Sequence, residues 1–198
     1  HGITGVSRKG QHPEHTSHYY SLTRLETAGS VVVEGARMAV TGLSWMDHEF
    51  GSADLAEELV GWDWFSLQLD NDHDIMAYGI FRADGTFDPA SSGTLVSPNG
   101  SSTSLSFEEI RVRVQHHWTS PVSGARYPSQ WTFSIPSEGI NLKISPRMAH
   151  QELLTRRSTA VIYWEGAVDV TGLWKGREIH GKGYVELTGY AEPYRPFR

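Results

Sequence analysis

The chain carries no cysteine among its 198 residues, which excludes disulfide staples, thiolate catalysis and cysteine-held metal together. Helical periodicity is almost as scarce: apolar residues recur at alternate positions rather than at every third or fourth. No apolar run exceeds a few residues, so no segment qualifies as a transmembrane helix. Positive charge is in the minority, with 17 Lys and Arg against 23 Asp and Glu and a pI near 5.9. With no basic stripe either, nucleic acid and anionic membrane surfaces are excluded as natural partners. There is no Gly-rich strand-to-helix turn for a nicotinamide or phosphate and no G-x-S-x-G elbow for a serine nucleophile. His12, His15 and His18 are spaced by three but fall on a Gly- and Pro-bearing arm, His116 and His117 point to opposite faces of a strand, and no H-E-x-x-H pattern exists. A dedicated metal site is therefore not expected, nor is a cofactor.

What the sequence does have is aromatic rings, seven of them Trp, and strand-like alternation. Strands recur about every ten residues, the pattern of an all-β antiparallel barrel or sandwich with little helix. Residues 1–17 are rich in Gly, His and Ser and read as an irregular N-terminal arm; residues 18–198 read as one β-barrel domain, long enough to bury a core and leave a cavity. Short strands are expected at 18–25, 31–34 and 37–41, and a hairpin from Gly61–Leu69 and Asp74–Arg82. A short helix is expected at Asp54–Leu59 with Asp54 as N-cap. Beginning at His1 with no signal-peptide pattern, the chain reads as a processed or truncated piece whose targeting segment lies outside the sequence.

Chemistry concentrates between Thr41 and Asn71, in T-G-L-S-W-M-D-H-E-F-G-S and G-W-D-W-F-S-L-Q-L-D-N. If Leu43–Phe50 is extended, Trp45, Asp47 and Glu49 share one face while Met46, His48 and Phe50 share the other. Two strand residues span roughly 6.6 Å, so Asp47 and Glu49 can address one small ligand beside an indole. In the next strand Trp62, Trp64, Ser66 and Gln68 lie on one side, opposite Asp63, Phe65, Leu67 and Leu69. The plainer alternative is an exposed Asp-His-Glu turn beside two core strands.

A second concentration falls in the last third. Ala160–Thr171 and Glu178–Ala191 read as a long hairpin turning at W-K-G-R. One face of it carries Tyr163, Glu165, Tyr184, Glu186 and Tyr190, with Ala167 and Thr188 between them; the other is apolar. A face that met only solvent would carry small polar and charged residues rather than tyrosines. If this face lines a barrel interior, it supplies hydrogen-bonding rings and desolvated carboxyls.

With these motifs in view, the sequence resembles the lipocalin-like family that includes carotenoid 1,2-hydratases (hydroxyneurosporene synthases), kievitone hydratase and AttH-type proteins. The resemblance rests on S-R-K-G at 7–10, Y-Y-S at 19–21, S-W-M-D-H-E-F-G-S at 44–52 and G-W-D-W-F-S-L-Q-L at 61–69. It continues through G-T-L at 93–95, W-T-S-P at 118–121, Q-E-L at 151–153, Y-W-E-G-A-V at 163–168 and G-Y-V-E-L-T-G-Y at 183–190. It implies a lipocalin-like barrel matching the second half of a two-barrel architecture about twice this length. Pairing with a second barrel or a second copy, and a periplasmic or secreted location, follow from the same likeness. It further implies a hydrophobic small molecule as ligand, the family being functionally mixed: hydratases of isoprenoid double bonds, relatives guiding cycloadditions, and proteins labelled secreted hydrolases.

Hydrating a prenyl double bond needs an acid to protonate the alkene, rings to stabilise the tertiary cation, and a base for the attacking water. Residue types for all three are present: Asp47 as acid, His48 or Glu49 as base, and Trp45, Trp62 and Trp64 as aromatic wall. Glu165 and Glu186 with Tyr163 and Tyr184 form a second acid group, and Gln68 and Tyr190 complete the expected substrate contacts. Two other classes compete. Acids alternating on one strand also occur in jelly-roll glycosidases, whose retaining pairs stand about 5–5.5 Å apart, but Leu43 and Trp45 stand where a third acid is expected. A carrier of a hydrophobic ligand needs the same rings and performs no reaction.

Overall fold

The alternation becomes thirteen β-strands in a computed structural model that describes residues 1–2, 4–51, 55–159 and 161–195. They are β1 (Val6–Arg8), β2 (Thr16–Val33), β3 (Ala36–Phe50), β4 (Leu59–Leu69), β5 (Asp74–Arg82), β6 (Ser92–Val96), β7 (Ser102–Ser106), β8 (Arg111–Thr119), β9 (Arg126–Ile135), β10 (Ile140–Pro146), β11 (Glu152–Leu154), β12 (Ile162–Trp174) and β13 (Arg177–Thr188). Helix is confined, among the described residues, to single 3-10 turns at Phe107–Glu109 and Pro136–Glu138. The all-β, lipocalin-like reading is met, with 3% of the chain helical.

The larger sheet runs β7-β6-β5-β4-β13-β12-β10-β9-β8, with β11 added to β12, and every pairing is antiparallel. It curls into a half-barrel, so that Phe65 on β4 packs against Trp131 and Phe133 of β9 across the interior, with ring centroids 5.7 and 6.0 Å apart. Trp131, Phe133, Trp164, Leu67, Val185 and Leu187 are fully sequestered there. Two glycines on β13 permit the tight coil. A Cβ at Gly183 would stand 2.3 Å from Ser66 O, and one at Gly181 2.5 Å from Gln68 O, in space that Leu67 and Leu69 also fill.

The smaller sheet, β1-β2-β3, is dominated by one long hairpin closed by Glu34 and Gly35, both at positive φ. Such a pair suits the two-residue turn whose twist matches the strands. The separate short strands expected at 18–25, 31–34 and 37–41 are thus parts of two continuous ones. Within the N-terminal segment read as an irregular arm, Val6–Arg8 pairs with Thr16–His18. The outer part of the hairpin projects beyond the half-barrel and leaves Val31, Val32, Val33, Met38 and Val40 exposed.

The hairpin is anchored at a bulge between Leu22 and Leu25. There Gln68 donates to Thr23 O at 2.6 Å, Arg24 donates to Leu69 O at 2.6 Å, and Arg24 Nη2 lies 3.0 Å from Asp74 Oδ1. Burial pushes the Asp74 carboxyl above its ordinary pKa, and Arg24 opposes that shift. The expected helix at 54–59 does not form. Asp54 lies outside the described residues, residues 55–58 are not helical, and Leu59 already begins β4. Burial of Ala56 and Leu59 against Met76, Tyr78 and Ile80 takes this segment down onto the sheet; packing outweighs local propensity. No helix among the described residues is long and apolar enough to cross a membrane.

Candidate active site

Alternation puts Phe65, Leu67, Val185 and Leu187 into the half-barrel, so their neighbours Trp62, Trp64, Ser66, Tyr184 and Glu186 face outward. The hairpin β2–β3 lies across that outer face. A cavity of about 960 Å³ remains between the layers. It is therefore not the barrel interior, where Phe65, Trp131, Phe133 and Trp164 pack, but a trough between two sheets. A small apolar cluster that includes Tyr19, Met76, Tyr78 and Ile80 lies alongside it, with Trp45 and Trp64 packed against the cluster.

Most of the residues singled out in the sequence meet on this wall: Trp45, Asp47 and Glu49 from β3, Trp62, Trp64 and Gln68 from β4, and Glu165, Tyr184 and Glu186 from β12 and β13. Three do not. His48 follows the alternation to the opposite face of β3, where it is exposed and lies 2.8 Å from the Tyr20 hydroxyl. Tyr163, paired with Thr188, sits one step beyond Glu186 and off the wall. Tyr190 should share the Glu186 face if β13 continued, but the strand ends at Thr188 and Gly189 takes φ +93°. That turn sends Tyr190 to the core side, where its hydroxyl donates to Asp63 at 2.8 Å.

Glu186 is the most strongly perturbed acid of the wall. Its pKa is pushed up to about 7, chiefly by desolvation and then by Glu165, while the Trp62 N–H opposes the rise. Trp62 Nε1 donates to Glu186 Oε1 at 3.0 Å. Glu165 is the direct cross-strand partner of Glu186 and is itself raised by burial. Two carboxyls side by side cannot both ionise cheaply, so one retains a proton.

Asp47 has the opposite surroundings. Its Oδ1 accepts from Trp45 Nε1 at 2.8 Å and from the Ser21 hydroxyl. Tyr19 interacts with the same carboxylate while accepting from Trp64 Nε1 at 2.9 Å. Trp45 and Trp64 meet edge to face, with centroids 6.2 Å apart, and Trp62 meets Tyr194 at 4.8 Å.

Sequence reasoning passed over Lys9. Its Nζ lies 2.6 Å from Glu49 Oε1 and over the rings of Tyr19 and Tyr78, at 5.1 and 4.8 Å from their centroids. The only trace of it was the S-R-K-G motif, since Lys9 lies in the bend just past β1 and follows no strand period. Glu49 also accepts from Ser17 at 2.6 Å, which neutralises one end of the trough.

The family model for AttH-like proteins matches residues 1–190. The dehydratase asqC of Emericella nidulans is 24% identical over 180 residues, covering 86% of this chain and 50% of that protein. The chain thus spans about half the length of this curated relative. A crystal structure of an AttH protein from Nitrosomonas europaea superposes with a TM-score of 0.86 at 33% identity, over 96% of this chain and 57% of that one. Kievitone hydratase from Nectria haematococca shares the fold, with a TM-score of 0.77 at 22% identity over the same shares of each chain. With its family model matching residues 1–190, this chain belongs to the AttH-like family.

Proposed function

We propose that the protein is a cofactor-free hydro-lyase that adds water to, or removes it from, a double bond of a hydrophobic, isoprenoid-like small molecule. The observation that carries this reading is Glu186, a carboxyl with a pKa near 7 on an aromatic wall. In the hydration direction Glu186 gives its proton to one alkene carbon and the positive charge develops on the other. Trp45 and Trp64 stabilise that cation through their faces, worth about 0.5–2 kcal/mol per ring. Asp47, held as an acceptor on the opposing layer, takes the proton of the attacking water. The role of acid thus passes from Asp47 to Glu186, because donors surround the first and desolvation governs the second. Glu165 keeps Glu186 protonated by its charge, Gln68 and Tyr184 contribute polar contacts along the trough, and His48 has no part.

Incubation with a panel of prenylated compounds in heavy-oxygen water tests the reading. A labelled hydroxyl in the product supports it; binding of the panel without label identifies a carrier, and a cyclised product without label identifies a cyclase.

We also propose that the projecting hairpin pairs with a second β-barrel. Its exposed Val31, Val33, Met38 and Val40 share one face as an apolar strip, and the curated relative is about twice as long. Mixing this chain with a separately produced preceding barrel of a relative tests it: sedimentation as a stable pair is expected, and two independent species would contradict it.

A further inference from the structure

On the face of β4 opposite the aromatic wall lies a second cavity, of about 260 Å³, where β8 returns toward β5 at the seam of the half-barrel. Phe65, Phe87, Phe107 and Ile110 give it apolar sides, Asp63 is a polar floor, and Arg111 and Arg113 of β8 complete the lining. Phe87 and Phe107 meet at 5.8 Å and remain 39% and 36% exposed, two rings at a rim with nothing packed over them among the described residues. Gly79, opposite Asp63 on β5, makes room for this arrangement, since a Cβ there would stand 2.6 Å from the Phe87 ring.

Asp63 is 5% exposed. Its Oδ1 accepts from Tyr190, and no donor among the described residues reaches Oδ2. The Asp63 carboxyl lines the cavity and offers it a hydrogen-bonding group among aromatic rings. We propose that this cavity is a second small-molecule site, taking a single-ring or short-chain apolar alcohol or phenol whose hydroxyl hydrogen-bonds to Asp63. Size limits the ligand, because drug-sized molecules occupy roughly 300 Å³ or more. Polarity selects the head group. A hydroxyl can donate to the ionised carboxylate or accept from the protonated carboxyl, whereas an ammonium can only donate. Burial raises the Asp63 pKa to about 7, so both carboxyl forms are present near neutral pH, and a hydroxyl can bond to either.

Calorimetric titration of the intact protein with 4-propylphenol, propylbenzene and 4-propylbenzylamine tests this, with carbon-13 NMR of the aspartate carboxyls followed alongside. The phenol is expected to bind about tenfold more tightly than either analogue and to move the Asp63 carboxyl signal. Phe107→Ala, at an exposed rim, should weaken the phenol and propylbenzene alike, and Asp63→Asn should abolish the phenol's advantage. If Asp63→Asn does not fold, the wild-type carboxyl signal and Phe107→Ala decide. Equal affinity for all three probes, no binding at millimolar concentration, or signals that move only at Trp62 and Trp64 would overturn the proposal.

Discussion

Glu186 stands between a hydrogen-bond donor and a negative charge: Trp62 Nε1 on one neighbouring strand, 3.0 Å away, and Glu165 paired with it on the other. The two neighbours pull its pKa in opposite directions, so the site makes predictions of opposite sign.

Replacing Glu165 by Gln removes the charge that helps keep Glu186 protonated. The Glu186 pKa should fall, and the alkaline limb of the pH–rate profile, which needs the protonated acid, should move to lower pH. The pH dependence of kcat measured over pH 5–9 checks this; an unmoved limb would detach Glu165 from the acid.

Trp62→Phe keeps the ring and deletes the N–H that stabilises the ionised carboxylate. The same limb should therefore move to higher pH, and the Glu186 carboxyl signal in a carbon-13 titration should follow. A shift in the Glu165→Gln direction would contradict the role given to Trp62.

How much of this was legible in the sequence follows from what alternation can and cannot say. The period of two identified which residues share a face of each strand, Trp45, Asp47 and Glu49 on β3, Trp62 and Trp64 on β4; that these faces meet across one cavity is set by the tertiary fold. It does not say which face a curling sheet closes inward; burial of Trp131 and Trp164 opposite the site decided that. The Tyr190 expectation failed at Gly189, whose φ of +93° ends the alternation one residue early. For His48 the alternation itself already placed the ring opposite Asp47, and proximity in sequence was the wrong guide. Lys9 lies just past β1, in a bend where no alternation applies, and its place depends on tertiary contact.

Stability should fall as pH rises from about 4 to about 7. Asp63 and Glu186 both have folded-state pKa values raised to about 7, so within that window the folded state holds more protons than the unfolded chain. By linkage their contribution is fully present below the unfolded values and is lost through the folded ones. Urea midpoints at pH 5 and pH 7.5 measure the slope, and Asp63→Asn should flatten it; an unchanged slope would remove Asp63 from the account.

Arg24→Met should loosen the hairpin from the half-barrel. It leaves Asp74 without its cation and Leu69 O without the Arg24 donor, at a cost of about 2 kcal/mol given the partial exposure of Arg24. Faster amide exchange confined to β2 and β3, with β12 and β13 unchanged, is the expected signature; uniform loss across the molecule would show the bulge to be no separate anchor.

Delivery of the proton by Glu186 is tested most directly by the turnover of Glu186→Gln against wild type. Gln keeps the shape and still accepts from Trp62 through its carbonyl oxygen, but it has no acidic proton. With a prenylated substrate in heavy-oxygen water, labelled product should form at least about a hundredfold more slowly, while the substrate's dissociation constant stays within about threefold. Wild-type turnover in Glu186→Gln would contradict the account.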